Sequence, residues 1–77
     1  FYIVIAEFYS KKSAQNLKKR IKQELVKFNS DKMFIKSKKT NKITLLSGPY
    51  KSINLMKNDY ILLKNFGFEE LDFTIND

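Results

Sequence analysis

The side chains available for chemistry in this 77-residue chain are carboxylates, hydroxyls and amines, because the sequence has neither histidine nor cysteine. Histidine is the commonest general base and metal ligand, and no serine here has a histidine to activate it. Cleavage of a glycosidic bond needs two carboxylates across a cleft, but the eight acids are scattered, and four of them lie in the last nine residues. We therefore expect no catalytic residue, no metal site and no cofactor.

Positive charge is concentrated in the first half of the sequence. The net charge is +7, and fourteen of the fifteen cations are lysine. Residues 1–42 carry +9, whereas residues 43–77 carry −2. A basic half indicates an anionic partner, but lysine is also the default surface residue, so a solvated face explains the charge equally well. The lysines expected to form such a face are Lys11, Lys12, Lys18, Lys19 and Lys22.

The composition is typical of one small globular domain. At 43% hydrophobic and 14% aromatic, the chain is too apolar to be disordered. It has no apolar run of 18 residues, so this segment is expected neither to span nor to contact a membrane. Because the sequence opens on a strand-like segment without methionine, we expect residues 1–77 to be a single domain of a longer protein, which would carry any anchor or signal.

Hydrophobic periodicity predicts the order strand, helix, strand, strand, helix, strand. The predicted strands are FYIVIAEF, MFIK, ITLLS and ELDFTI, which are rich in β-branched and aromatic residues. Ser10 and Ser52 are expected to cap the two helices, and Gly67 to end the second. The apolar stripes of the helices are Ala14, Leu17, Ile21 and Leu25, and Met56, Tyr60, Leu63 and Phe66.

This order predicts an α+β fold of the βαββαβ ferredoxin-like, or RNP-like, type. Such a fold has a four-stranded antiparallel sheet with both helices on one face. The two halves also align with a shift of 42 residues, which superimposes Ser10 on Ser52. The Gly48-Pro49 corner, which should stop a strand and turn the chain, is then expected to correspond to a corner at Ala6-Glu7.

Two stretches carry a more specific pattern. In FYIVIAEFYSKKSAQNLKKRI an aromatic-rich strand precedes a serine and then alanine and leucine at helical spacing. In ITLLSGPYKSINLMKNDYILLKNFGF a strand runs into Gly-Pro-aromatic-x-Ser and then a helix that closes on glycine. Together they resemble a SPOR (sporulation-related repeat) domain over nearly the whole chain. The matched positions are Tyr2, Ile3, Ile5, Phe8, Ser10, Ala14, Leu17, Ile21, Gly48, Pro49, Tyr50, Ser52, Leu63 and Gly67.

The resemblance implies a non-catalytic module that binds peptidoglycan glycan strands lacking stem peptides. Such a module targets its parent protein to the bacterial division septum, in the periplasm or cell envelope. The implied partner is the denuded glycan strand, not nucleic acid, and a monomer is expected. Loss of the stem peptide leaves a lactyl carboxylate on each muramic acid, so Lys36 or Lys42 can pair with the strand.

The resemblance also places the glycan on the sheet face opposite the helices, which we call the open face. Tyr2 and Phe34 can stack on sugar rings, whereas hydroxyl and charged side chains can bond to sugar hydroxyls. Phe34 reaches this face only if the register turns Met33 and Ile35 inward. The candidate site residues are Tyr2, Val4, Phe34, Lys36, Thr44, Leu46, Asp72 and Thr74.

The sequence departs from the family pattern at several open-face positions. Val4 stands where the family often has glutamine, Ala6 where it has glycine, and Glu7 where it has a small residue. Thr44 replaces a frequent arginine. Glu7 is expected to be solvated. We expect an open face that is more apolar and poorer in amides than usual, with a different affinity or preferred ligand.

Two other functions fit the same fold. A protein-interaction or regulatory module would use Val4, Phe34 and Leu46 as an apolar patch. An RNA-recognition motif has the same order of elements and would explain the charge. It needs aromatic residues on its third strand, however, and KITLLSGP has none. Glycan binding is therefore the preferred hypothesis.

Overall fold

The computed structural model describes residues 1–37 and 41–75. The order of its elements confirms the predicted one, with a short 3₁₀ turn (Ser30–Lys32) added before the second strand. Most of the predicted SKKTNK hairpin loop, residues 38–40, lies outside the described residues. The strands and helices are β1 (Tyr2–Phe8), α1 (Lys11–Glu24), β2 (Met33–Ser37), β3 (Ile43–Ser47), α2 (Ile53–Phe66) and β4 (Asp72–Thr74).

The four strands form one antiparallel sheet in the order β2-β3-β1-β4. This confirms the α+β prediction and matches a ferredoxin-like layout. Both helices pack their buried side chains on the same face of the sheet. The core between sheet and helices contains Ile3, Ile5, Ile21, Phe28, Met33, Leu45, Tyr50, Met56 and Leu63.

The two helices begin in the same way, as the internal repeat predicted. The Ser13 backbone N–H donates to Ser10 Oγ, and the Leu55 N–H donates to Ser52 Oγ, at 3.4 and 3.3 Å. Gly67 ends α2 with φ +127°, a left-handed conformation that favours glycine. The helix boundaries therefore follow from local sequence signals.

Two core aromatics come from outside the predicted strands and helices. Phe28, in the turn after α1, is 4% exposed, and Tyr50, just after the Gly-Pro corner, is 3% exposed. Both side chains fill the space between the helices and the sheet. A turn and a corner thus contribute to the core as the helices do.

A β-bulge in β1 overturns the predicted position of Ala6. Val4 pairs with Leu46, but Ala6, not Ile5, pairs with Leu45, so Ile5 is the extra residue of the bulge. Ala6 therefore packs towards the core rather than lying on the open face. The same shift places Glu7 opposite Thr44, on the open face.

The predicted corner at Ala6-Glu7 is also wrong, because β1 continues through both residues to Phe8. The corner at Gly48-Pro49 does end β3, and its peptide bond is cis. β4 is shorter than predicted, and its middle residue, Phe73, is 52% exposed. β4 pairs with Tyr2, Ile3 and Val4 and leaves the second half of β1 uncovered on that side.

Within the described residues, neither helix combines the length and apolar character that crossing a membrane requires.

Candidate functional site

The strand register brings all eight predicted site residues onto the open face. Met33 and Ile35 point into or pack against the core, so Phe34 lies on the open face, as expected. The bulge also turns Glu7 onto this face, where it is exposed, as expected. Directly paired side chains form three rows across the sheet: Lys36, Thr44 and Glu7; Phe34, Leu46, Val4 and Asp72; Tyr2 and Thr74.

Tyr2 and Phe34 form an aromatic pair on the open face. Their ring centroids lie 5.8 Å apart with an interplanar angle of 75°, an edge-to-face contact. The rings come from β1 and β2, which are separated by β3, so they meet across β3. Leu46, the β3 residue paired with Phe34, is only 1% exposed although the helices lie on the other face. The partly exposed aromatic pair can therefore contact a ligand, whereas Leu46 is too buried to do so.

Gly48 makes room for the Tyr2 ring. A Cβ atom at position 48 would lie 2.7 Å from Tyr2 Cδ1 and 3.0 Å from the Phe1 carbonyl oxygen. The Tyr50 N–H donates to the same Phe1 carbonyl at 2.8 Å, which ties the corner to the start of β1. Local sequence signals predict this glycine only as a turn residue. Its second role depends on a contact between residues 46 positions apart, which no local pattern reveals.

Thr44 occupies the middle of the row that Lys36 and Glu7 flank. Its side chain is 2% exposed, and its Oγ1 atom has no hydrogen-bond partner among the described residues. A buried hydroxyl without a partner costs about 1–3 kcal/mol, which a bound water or ligand would recover. Thr44 therefore cannot meet a ligand at the surface as predicted; a polar group reaches it only if the flanking side chains move apart.

Charged groups surround the aromatic pair unevenly. Lys42 Nζ lies 3.7 Å from Glu7 Oε2, in an ion pair whose two side chains are both about half exposed. Such a pair contributes about 0–1 kcal/mol, so an anionic ligand can displace the carboxylate. Asp72 is exposed at the β4 edge, and Thr74 and Lys36 are half-buried.

An acidic cavity lies beside the part of β1 that β4 does not cover. It has a volume of about 550 Å³ and is lined in part by Glu7, Glu69, Glu70 and Asp72. Lys36 is on β2, at the other side of the sheet. The open face is therefore negative towards β4 and positive towards β2.

A buried polar network holds the Gly-Pro corner against α2. The Tyr50 hydroxyl lies 2.7 Å from Ser47 Oγ and donates to Asp59 Oδ2 at 2.7 Å. Lys32 Nζ lies 4.5 Å from the centre of the Tyr50 ring, in a cation–π contact. Burial is the main cause that raises the pKa of Tyr50 well above its ordinary range, and Asp59 adds to the effect. The phenol therefore stays protonated and serves the corner as a hydrogen-bond donor.

Within residues 1–37 and 41–75, no three His, Cys, Asp or Glu side chains are grouped so as to hold a metal ion. Comparison of the chain with protein-family models, with curated proteins and with solved structures found no significant match. The resemblance to SPOR domains therefore stays a prediction carried by the sequence motifs.

Proposed function

We propose that this domain is a non-catalytic module that binds peptidoglycan glycan strands lacking stem peptides, and that it thereby brings its parent protein to the division septum of a bacterium. The observation that carries the proposal is the aromatic pair of Tyr2 and Phe34 on the open face. Sugar rings present apolar C–H faces to such rings, and hydroxyls at their edges need polar partners.

The polar partners lie beside the aromatic pair. Thr74 is paired with Tyr2 across the sheet, and Asp72 is in the same row as Phe34. Their hydroxyl and carboxylate oxygens can accept hydrogen bonds from sugar hydroxyls, and the Thr74 hydroxyl can also donate one. Recognition of a neutral part of the glycan is thus assigned to the aromatic pair and to the β4 side of the open face.

The charge of the open face favours one path for the ligand. A denuded strand carries lactyl carboxylates, which the acidic cavity beside β1 repels. Lys36 lies on β2, away from that cavity, and can pair with these carboxylates, whereas Lys42 can do so only by leaving Glu7 at the border of the cavity. We therefore expect the strand to run from the aromatic pair towards Lys36. At physiological salt the screening length is about 8 Å, so only nearby carboxylates feel these charges.

The burial of Leu46 weakens the alternative of a protein-interaction surface. The apolar patch expected from the sequence loses one of its three members, because Leu46 is only 1% exposed. Val4 and Phe34 remain, which is a small patch for a protein partner. The RNA-binding alternative also lacks support from β3, whose two open-face residues, Thr44 and Leu46, are both buried and non-aromatic.

Co-sedimentation with purified cell-wall sacculi tests this proposal. Sacculi treated with an amidase, which removes stem peptides, should retain more of the domain than untreated sacculi, both at low and at moderate salt. Retention on the two preparations that is equal, or that disappears at moderate salt, would mean that the basic charge alone produces the binding. Single-stranded RNA added as a competitor should not release the domain.

A further inference from the structure

A second cleft lies between α1 and the outer edge of β2, away from the aromatic pair. It has a volume of about 420 Å³. Met33 and Ile35 of β2 form part of its lining, and their side chains belong to the helix side of the sheet. The facing residues on α1 are Gln15, Lys18, Lys19 and Lys22. The proposed glycan site uses none of these residues.

Only three of the five α1 lysines that the sequence predicts as one solvated face line this cleft. Lys18 and Lys19 follow Gln15 by three and four residues and precede Lys22 by four and three, so the four residues form one stripe along α1. Lys11 and Lys12, which the sequence analysis grouped with them, do not line the cleft. Three positive charges beside one strand edge create a local field that attracts an anionic partner.

The edge of β2 supplies backbone groups for pairing. β2 is an outer strand of the described sheet, and the Gly48 N–H donates to the Lys32 carbonyl at 3.0 Å. In an antiparallel pair, residues that bond to the partner strand alternate with residues whose N–H and C=O point away. Lys32 and Phe34 therefore bond towards β3, and the N–H and C=O groups of Ile35 point outward, beside the cleft.

We propose that an extended acidic peptide binds here and adds to β2 as a fifth strand. Its backbone would pair with Ile35, and alternate side chains would point towards Lys18, Lys19 and Lys22, since successive side chains of a strand lie on opposite faces. Those side chains should be acidic, and the others, which lie beside Phe34, should be apolar. A second copy of β2 fits poorly, because it would bring the same lysines together.

Asp31 gives the peptide a preferred register. This residue lines the cleft and belongs to the 3₁₀ turn that comes just before β2. An acidic peptide residue at that end would meet a like charge, whereas one beside Lys18 or Lys22 would not. The acidic residues of the partner are therefore concentrated along the lysine stripe.

Titration calorimetry with two synthetic peptides at moderate salt tests this proposal. The probe alternates glutamate and valine over eight residues with blocked ends, and its control has the same sequence with every backbone nitrogen methylated. The probe should bind and the control should not, because methylation removes the N–H groups on both edges and blocks strand pairing. Failure of the probe to bind, or equal binding of both peptides, would overturn the proposal.

Matched charge reversals test the lysine stripe. Lys18→Glu combined with Lys22→Glu should weaken binding of the probe by about tenfold or more, since each charge contact is worth up to about 1 kcal/mol. Lys51→Glu combined with Lys57→Glu makes the same change in net charge at exposed positions away from the cleft and should leave binding unchanged. Equal weakening by both pairs would reduce the effect to net charge and contradict the proposal.

Amide hydrogen exchange tests the strand edge. Binding of the probe should slow exchange of the Ile35 amide, because this N–H becomes bonded to the added strand. An unchanged rate with saturating probe would contradict strand addition. All of these outcomes are independent of the glycan proposal, since the double variant at Lys18 and Lys22 keeps the aromatic pair and should still bind amidase-treated sacculi.

Discussion

Two buried hydroxyls in neighbouring parts of β3 have opposite surroundings. Thr44 Oγ1 has no partner among the described residues, whereas Ser47 Oγ is hydrogen-bonded to the Tyr50 hydroxyl. Removing a buried polar group without a partner relieves a desolvation penalty, and removing a bonded one leaves its partner unsatisfied. At the scale of single residues, the two hydroxyls should therefore respond to deletion with opposite signs.

Thr44→Val should raise the free energy of unfolding by about 1 kcal/mol, because valine keeps the branched shape and removes the unpaired hydroxyl. Ser47→Ala should lower it by about 1 kcal/mol. Urea denaturation of the two variants and the wild type provides the measurement. A destabilising Thr44→Val change would show that the hydroxyl is bonded in solution, for example to an ordered water.

Tyr50 should make stability decline at alkaline pH. Its pKa is raised by burial in the folded protein, whereas in the unfolded chain the phenol ionises near its ordinary value of about 10. Above that pH the unfolded state loses a proton that the folded state keeps, so stability falls as pH rises from about 10 towards the raised pKa. Below about pH 9 the raised pKa of Tyr50 produces no pH dependence.

Tyr50→Phe removes this titration together with the hydrogen bonds to Ser47 and Asp59. The variant should be less stable at neutral pH, and the difference from wild type should shrink as pH rises above about 10. Chemical denaturation across the alkaline range compares the two proteins, and the other tyrosines and lysines cancel in the difference. Parallel stability curves would contradict the account.

At the scale of elements, the Gly-Pro corner positions Tyr2, a β1 residue that lies 46 positions earlier in the sequence than Gly48. Gly48 has φ +150°, a conformation that L side chains rarely adopt, and a Cβ there would collide with the Tyr2 ring. Gly67, at the end of α2, has φ +127° but open space around it. A side chain at position 67 therefore introduces backbone strain alone, whereas one at position 48 introduces strain and a collision with the Tyr2 ring.

Gly48→Ala should destabilise the domain by more than Gly67→Ala does. Both changes introduce backbone strain of about 1–3 kcal/mol, but only the first also displaces an aromatic ring. Urea denaturation measures the two losses, and the chemical shifts of the Tyr2 and Phe34 rings report on the aromatic pair. Equal losses with unchanged ring shifts would mean that Gly48 does not position Tyr2.

The elements could be predicted because their signals are local. Serine caps, apolar stripes such as Ile21 and Leu63, and alternation along β3 need only a few neighbouring residues. The bulge could not be predicted, because it is defined by pairing with a distant strand, and it moved Ala6 inward and Glu7 outward. Phe28 and Tyr50 were missed as core residues for the same reason: their partners are distant in sequence.

At the scale of the whole molecule, the sequence correctly predicted which residues lie on the open face, but not which of them are buried there. Strand alternation and the fold class together place the eight candidate residues on one face. Burial of Thr44 and Leu46 depends on side chains that arrive from both neighbouring strands, and sequence alone does not report it. The proposed contact surface consequently narrows to the aromatic pair and the polar groups around it.

The whole sheet also divides its charges between its sides. Acids gather around the cavity beside β1 and β4, whereas Lys36 lies on β2 on the open face and three lysines line the cleft behind it. The uneven charge of the sequence is therefore a spatial asymmetry of the folded domain. Two anionic partners of different chemistry, a glycan and a peptide, are proposed for opposite sides of the β2 half.

The central claim is that denuded glycan binds through the aromatic pair, and the most direct test compares two phenylalanines. Phe34 belongs to that pair on the open face, whereas Phe73 is half exposed, pairs with Ile3, and so lies on the other face. Circular dichroism first establishes that Phe34→Ala and Phe73→Ala are folded. Each is then titrated against amidase-treated sacculi at moderate salt.

The account predicts that Phe34→Ala weakens binding by about tenfold, corresponding to loss of a stacking contact of about 1–1.5 kcal/mol, and that Phe73→Ala binds like the wild type. Binding by a folded Phe34→Ala variant that equals the wild type would contradict the claim, because the aromatic pair would then not be part of the glycan site.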